Sequence, residues 1–214
     1  MEYTLKRSSR KTLALVVKGS TLFVHAPMRV PKFKIDEFVA NNLEWINKKL
    51  ENSKINSLPD SIVNFEQVLV LGNLISTKVH DKRGVSLVDG TLYLNAKADR
   101  KTQLLKWYKE QAHVWLQQQI DAVANSLNLS YTKFDLTSAR TKWGSCDNNC
   151  KILLNFRLIM LPKELIYYVI THELCHTVHH NHSAEFWQMV LQFCPMYKKY
   201  RKELKQWAQL NKIY

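Results

Sequence analysis

Long hydrophobic runs are absent from this sequence. No stretch approaches the roughly 18 apolar residues that span a bilayer. The segment from Met1 to Ala14 carries charges where a signal peptide would carry an uninterrupted apolar run. The expectation is a protein with no membrane partner. Cysteine is scarce as well. Cys146, Cys150, Cys175 and Cys194 are too few to staple 214 residues, which excludes a disulfide framework and favours a cytoplasmic chain with reduced thiols. Cys146 and Cys150 are spaced C-x3-C without a second pair, so they read as two ordinary thiols rather than half of a metal knuckle. Five glycines and five prolines leave no room for a low-complexity tract, and 46% hydrophobic with 23% charged residues is a folded composition. The length suits one large domain or two small ones.

Acidic residues are also in deficit, 18 against 31 Lys and Arg, for a net charge of +13. The excess sits at the two ends. Residues 1–34 hold eight basic residues and one acid, residues 198–214 hold six and one, and the 163 residues between hold 17 and 16. Such ends attract nucleic acid, acidic protein or anionic surfaces alike, or belong to a basic protein with no such partner.

What the sequence does contain begins with strands. Thr12–Lys18 and Thr21–Ala26 are β-branched and apolar, and Gly19-Ser20 between them signals a hairpin. After Pro31, Ile35, Phe38, Val39, Asn42, Trp45, Ile46 and Leu50 recur at helical spacing, predicting one long helix. A polar connector is expected over Asn52–Asp60. Two further hairpins follow, Gln67–Leu71 with Leu74–Val79 around Gly72-Asn73, and Val85–Val88 with Thr91–Leu94 around Asp89-Gly90. Asp99 is placed to cap a second long helix reaching about Asn128, with Leu104, Tyr108, Trp115, Ile120, Val123 and Leu127 along one face. Lys133–Lys142 and Lys151–Phe156 read as strands joined by a turn from Gly144 to Asn149. Pro162 opens a helix carrying His172 and His176, and two more helices are expected from about Ser183 to Phe193 and Met196 to Asn211. The fold class is α+β, a strand-rich region over 1–97 with a long helix, then a region over 98–214 with a small sheet and helices.

The chemistry lies in Thr171-His172-Glu173-Leu174-Cys175-His176, an H-E-x-x-H motif. On a helix, positions i and i+4 share a face, so two imidazoles can point at one metal ion. The carboxylate next to the first ligand can take a proton from a water at the metal without being a ligand itself. With this composition a chance match arises in roughly 0.01 chains, so the motif is specific. A catalytic zinc needs a third protein ligand. His182 is the best placed, with Asn181 to turn the chain and Ser183 to cap the next helix. His179, His180 and Glu185 are its rivals, and Glu185 as a fourth ligand would make the site structural. Three imidazoles favour zinc over magnesium or calcium.

These residues resemble the YgjP-like metallopeptidases, relatives of the SprT-like and Spartan proteases in the zincin superfamily. The resemblance is carried by Trp143-Gly144-Ser145-Cys146, Leu154-Asn155-Phe156-Arg157-Leu158, Tyr168 to His176, and Asn181-His182-Ser183 with Phe186-Trp187. Arg7 to Leu13 and Trp45-Ile46 fit more loosely. The resemblance implies a zincin-like C-terminal region, with His172, His176 and His182 as zinc ligands and Glu173 as acid/base. It also implies an edge strand beside the active-site helix that pairs with an extended peptide. Lys133–Lys142 and the Trp143–Cys146 turn are the candidate wall, with Arg140, Trp143, Gly144 and Ser145 as candidate substrate-binding residues. For Trp143 and Gly144 a structural reading, a buried ring and a tight turn, stands beside the functional one. The expected function is zinc-dependent peptide-bond hydrolysis. The alternative is a nucleic-acid-associated protein using its basic ends to reach DNA- or RNA-bound proteins.

Overall fold

The computed structural model describes residues 2–18, 21–55 and 59–213. The chain forms two compact units, Met1–Ser57 and Leu58–Tyr214. This boundary precedes the one expected at 97/98, and the cause is in the packing. Val68, Leu69, Leu92 and Leu94 share one core with Leu104, Tyr108 and Leu116, so the hairpins after residue 66 belong with the helix that follows them.

The first unit is a three-stranded sheet with two helices. Strands β1 (Thr4–Ser8), β2 (Ala14–Lys18) and β3 (Thr21–Pro27) lie in the order β1-β3-β2, with β1 parallel and β2 antiparallel to β3. β3 alternates as a half-buried strand should: Leu22, Val24 and Ala26 point into the core with Ile35, Val39 and Ile46. The β2–β3 connection expected at Gly19-Ser20 lies outside the described residues. β1 has no sequence signal, because its residues TLKRS are mostly exposed and show no apolar alternation. The single long helix is in fact two, α1 (Lys32–Ala40) and α2 (Leu43–Ile55). Asn42 explains the break: its Nδ2 donates to the Phe38 carbonyl at 2.7 Å, a side-chain bond that competes with the helical ladder. The break leaves Trp45, expected on the apolar face, 42% exposed. Residues 52–55 of the expected connector belong to α2, and 56–58 lie outside the described residues.

The second unit begins with the short α3 (Asp60–Val63) and a four-stranded sheet, β4 (Gln67–Val70), β5 (Asn73–His80), β6 (Ser86–Val88) and β7 (Thr91–Asn95), ordered β4-β5-β7-β6. Asp89-Gly90 turns the second hairpin with both residues at positive φ, as expected for a type I′ turn. In the first hairpin the turn is Leu71-Gly72, one residue earlier than predicted. Leu71 accepts φ 50° there because the turn is docked. The Leu71 and Gly72 amides donate to the Ile159 and Met160 carbonyls at 2.7 and 3.2 Å, and a Cβ on Gly72 would meet Pro162 at 3.1 Å.

α4 (Arg100–Leu127) is the spine of this unit. Asp99 caps it by accepting from the Thr102 amide, and Asn128 ends it at φ 53°. The second sheet is β8 (Lys133–Thr137), β9 (Gly144–Cys146) and β10 (Lys151–Asn155), ordered β8-β10-β9, with β8 parallel and β9 antiparallel to β10. Lys133–Lys142 is therefore neither one long strand nor the hairpin partner of β10. The chain leaves β8 at Thr137 and crosses to the far side of β10. Phe156–Met160 is a 3-10 helix, followed by α5 (Lys163–Cys175), α6 (Ala184–Phe193), α7 (Tyr197–Leu204), a 3-10 turn at Gln206–Gln209, and α8 (Leu210–Ile213). The last three replace the single helix expected from Met196 to Asn211. The class is α+β, and no helix among the described residues is long and apolar enough to cross a membrane.

Candidate metal centre

α5 is built to be buried. Leu165, Ile166, Tyr168, Val169, Ile170, Thr171, Leu174 and Cys175 all lie in the core, so the apolar surface wraps most of the helix and fixes its rotation. That rotation presents His172 and Glu173, with His176 at the helix C-cap. The backbone then turns through 177–182, and Ser183 caps α6 by accepting from the Phe186 amide. This turn returns His182 to the end of α5.

The ligand atoms of His172, His176 and His182 lie within 4.8 Å of one another, the one such group of His, Cys, Asp or Glu among the described residues. The Nε2 atoms of His172 and His182 are 3.1 Å apart. Two nitrogens each about 2.05 Å from a tetrahedral zinc would be roughly 3.3 Å apart, so the spacing fits such an ion. The tautomer of His176 is also set. Its Nδ1 lies 2.9 Å from the His179 carbonyl, which only accepts, so Nδ1 carries the proton and Nε2 keeps its lone pair for the cluster. The rings are braced from behind: Phe186 stacks on His176 at 4.4 Å, and Trp187 on His182 at 5.4 Å.

Burial pushes His172 down to about 3, with the neighbouring His176 and His182 adding to the effect, and burial lowers His176 too. Both imidazoles stay neutral near pH 7, the form a metal requires. Glu173 is 6% exposed, and burial raises its carboxyl to about 8, opposed by the positive charge of Lys142. A dication beside it would draw the proton off. Cys146 is held at about 12 by burial, then by Cys150 and Glu173, so this thiol supplies no thiolate.

The rivals for third ligand fall elsewhere. His179 contributes its carbonyl, His180 is exposed, and the exposed Glu185 is bonded to Ser183 and its own amide at the head of α6. The candidate wall is resolved into parts. β9 packs against α5 and forms the open edge of its sheet, whereas β8 is the opposite edge and lies away from the helix. Ser145 of β9 pairs with Leu153 of β10, and Trp143 is half-buried with its carbonyl accepting from the Asn155 amide at 2.8 Å. Arg140 is exposed in the loop before β9.

The site's main support carries no local sequence signal. Asn155, fully buried, donates through Nδ2 to the Ala139 and Lys142 carbonyls at 2.7 and 3.0 Å and accepts from Arg157, tying down the loop that delivers β9 to α5. Nothing in its local sequence marks an asparagine for this, since its partners are 13 and 16 residues away.

The sequence matches the model of the YgjP-like family, metallopeptidase domain, over residues 11–207. The chain belongs to the YgjP-like family. It is a metallopeptidase-type hydrolase by that membership, and the family implies a metal ion for which the three histidines offer a site. Among solved structures it is similar to the metallopeptidase zymogen of Pyrococcus abyssi abylysin, with 18% identity and a TM-score of 0.40 over 44% of this chain and 94% of that one. No curated protein matches the sequence.

Proposed function

We propose that this YgjP-like protein is a zinc-dependent peptidase in which His172, His176 and His182 hold the metal and Glu173 is the general base. The observation that carries the reading is the convergence of three imidazoles, two of them held neutral by burial, beside a buried carboxyl group. When bound, zinc supplies the Lewis acidity that polarises a carbonyl and acidifies water. Glu173 takes a proton from the attacking water and passes it to the departing amine, so hydrolysis consumes one water and leaves the carboxylate as it began. The open edge of β9 offers backbone amides and carbonyls to an extended peptide, with Trp143, Gly144, Ser145 and the exposed Arg140 along its approach.

The test is Glu173→Gln on zinc-loaded protein. Loss of about 10²-fold or more in turnover with one zinc per chain retained is the expected result. Full activity of the variant on every peptide the native protein cleaves would refute the assignment.

The accessory reading is nucleic-acid binding through the basic ends. It is favoured by the exposure of Lys6, Arg7, Lys11, Arg29, Lys32 and Lys34 in the first unit and of Lys198, Lys199, Arg201 and Lys202 on α7. Affinity for DNA or RNA should then fall steeply with salt as phosphate contacts release counterions, and salt-independent binding would count against it.

A further inference from the structure

We infer that Gly144 is a positioning residue for the Glu173 carboxylate, a role that rests on reading Glu173 as the general base. A Cβ added at Gly144 would lie 2.6 Å from Glu173 Oε1, 2.7 Å from Cγ and 2.9 Å from Cδ. Non-bonded atoms do not approach so closely in a packed interior. The glycine is not there to allow a left-handed backbone: among the described residues the glycines at positive φ are Gly72, Gly84 and Gly90. It is there for space. The tight-turn reading of Gly144 therefore gives way to one in which the missing side chain is the seat of the carboxylate.

Neither side of this contact is free to retreat. Gly144 is paired with Leu154 in the β9–β10 ladder. The residues before it are held by the Asn155 amide on the Trp143 carbonyl, 2.8 Å, and by Asn155 Nδ2 on the Lys142 carbonyl, 3.0 Å. On the other side, Glu173 lies between the fully buried Thr171 and Leu174 on α5, so the helix cannot shift without opening the core. A new methyl at residue 144 must turn the Glu173 side chain out of its present rotamer. The atoms struck include Cγ, which no rotation about the terminal carboxylate bond removes. The three atoms nearest the new methyl all belong to Glu173, so the metal site should survive while the base is displaced.

The experiment compares Gly144→Ala in two backgrounds, native and Glu173→Ala, using zinc content, thermal melting, and turnover of a quenched-fluorescence peptide mixture. In the native background Gly144→Ala should lower the melting temperature by about 5 °C, as overpacking does. In Glu173→Ala, where Cγ, Cδ and both oxygens are gone, the same substitution should have less than half that effect. Zinc should remain at one per chain, kcat should fall roughly 10²-fold, and KM should change little, because the loss is of proton transfer rather than binding. An equal melting shift in both backgrounds, or an unchanged kcat for Gly144→Ala where Glu173→Gln is inactive, would overturn the inference and leave the base assignment standing. Full activity in Glu173→Gln would instead sink the base assignment, and the melting comparison would still decide whether the two residues meet. If Gly144→Ala does not fold alone, recovery of folding in the double variant reports the same contact.

Discussion

Replacing Asn155 by alanine removes the tie between the β10 end and the loop that delivers β9 to α5. Four hydrogen bonds go with it: Nδ2 to the Ala139 carbonyl at 2.7 Å, Nδ2 to the Lys142 carbonyl at 3.0 Å, and Oδ1 from the Arg157 amide at 3.1 Å and from Arg157 Nη1 at 3.2 Å. The two carbonyls sit in a loop that is half-buried at Ala139 and exposed at Lys142, so water can reach them, and each loss is worth about 0.5 kcal/mol. The Arg157 partners are different, because Arg157 is 4% exposed and cannot be rehydrated without opening the core. Losing an acceptor there costs about 1–2 kcal/mol for the guanidinium and about 1 kcal/mol for the amide. The sum is about 3–4 kcal/mol, a large share of the roughly 5–15 kcal/mol that stabilises a domain. At roughly 2–4 °C per kcal/mol for a chain of this length, the melting temperature should fall by about 10 °C. Urea unfolding should show a lower midpoint with little change in slope. Zinc should still bind, since the three clustered histidines come from α5 and the turn after it, while turnover falls because β9 is no longer pressed against Glu173. A melting shift of under about 2 °C would refute the reasoning, since it would mean that the loop is held by something other than this side chain.

Two further outcomes are expected. His182→Ala should sharply weaken zinc binding measured by competition with a chelating dye, whereas His179→Ala should leave it nearly unchanged, because His179 acts through its carbonyl; equal losses in both would put the third ligand elsewhere. The chelator-treated protein should be most stable near pH 5–6. Below that, His172, held at about 3 against an ordinary 6.5, stays neutral while the unfolded chain takes up a proton, so stability is lost as pH falls from 6.5 towards 3. Above it, Glu173, raised to about 8 from 4.5, keeps a proton that the unfolded chain has released, so stability is lost as pH rises from 4.5 towards 8. A melting profile flat across this range, with zinc absent, would contradict both burial effects.

Much of this protein was legible in the order of its residues. The spacing of His172, Glu173 and His176 is a local fact about a helix, and Asn181, His182 and Ser183 supply the turn, the third histidine of the cluster and the cap within a few residues. Asp99, Asn128 and Asp89-Gly90 are likewise local signals, and each does in the fold what its chemistry suggests. The departures from local pattern are tertiary. A turn moved from Gly72-Asn73 to Leu71-Gly72 because Ile159 and Met160 offered carbonyls to its amides. A helix broke at Asn42 where periodicity alone ran on, and the exposed strand β1 had no apolar pattern by which to be found. The sequence by itself determined the histidine cluster and the carboxyl group beside it, because they are carried on one helix and its following turn. Only the tertiary structure decided that β9 rather than β8 borders the helix, that Asn155 holds it there, and that Gly144 is glycine to make room for Glu173. Those relations join residues far apart in the chain, and no periodicity or spacing encodes a contact between them.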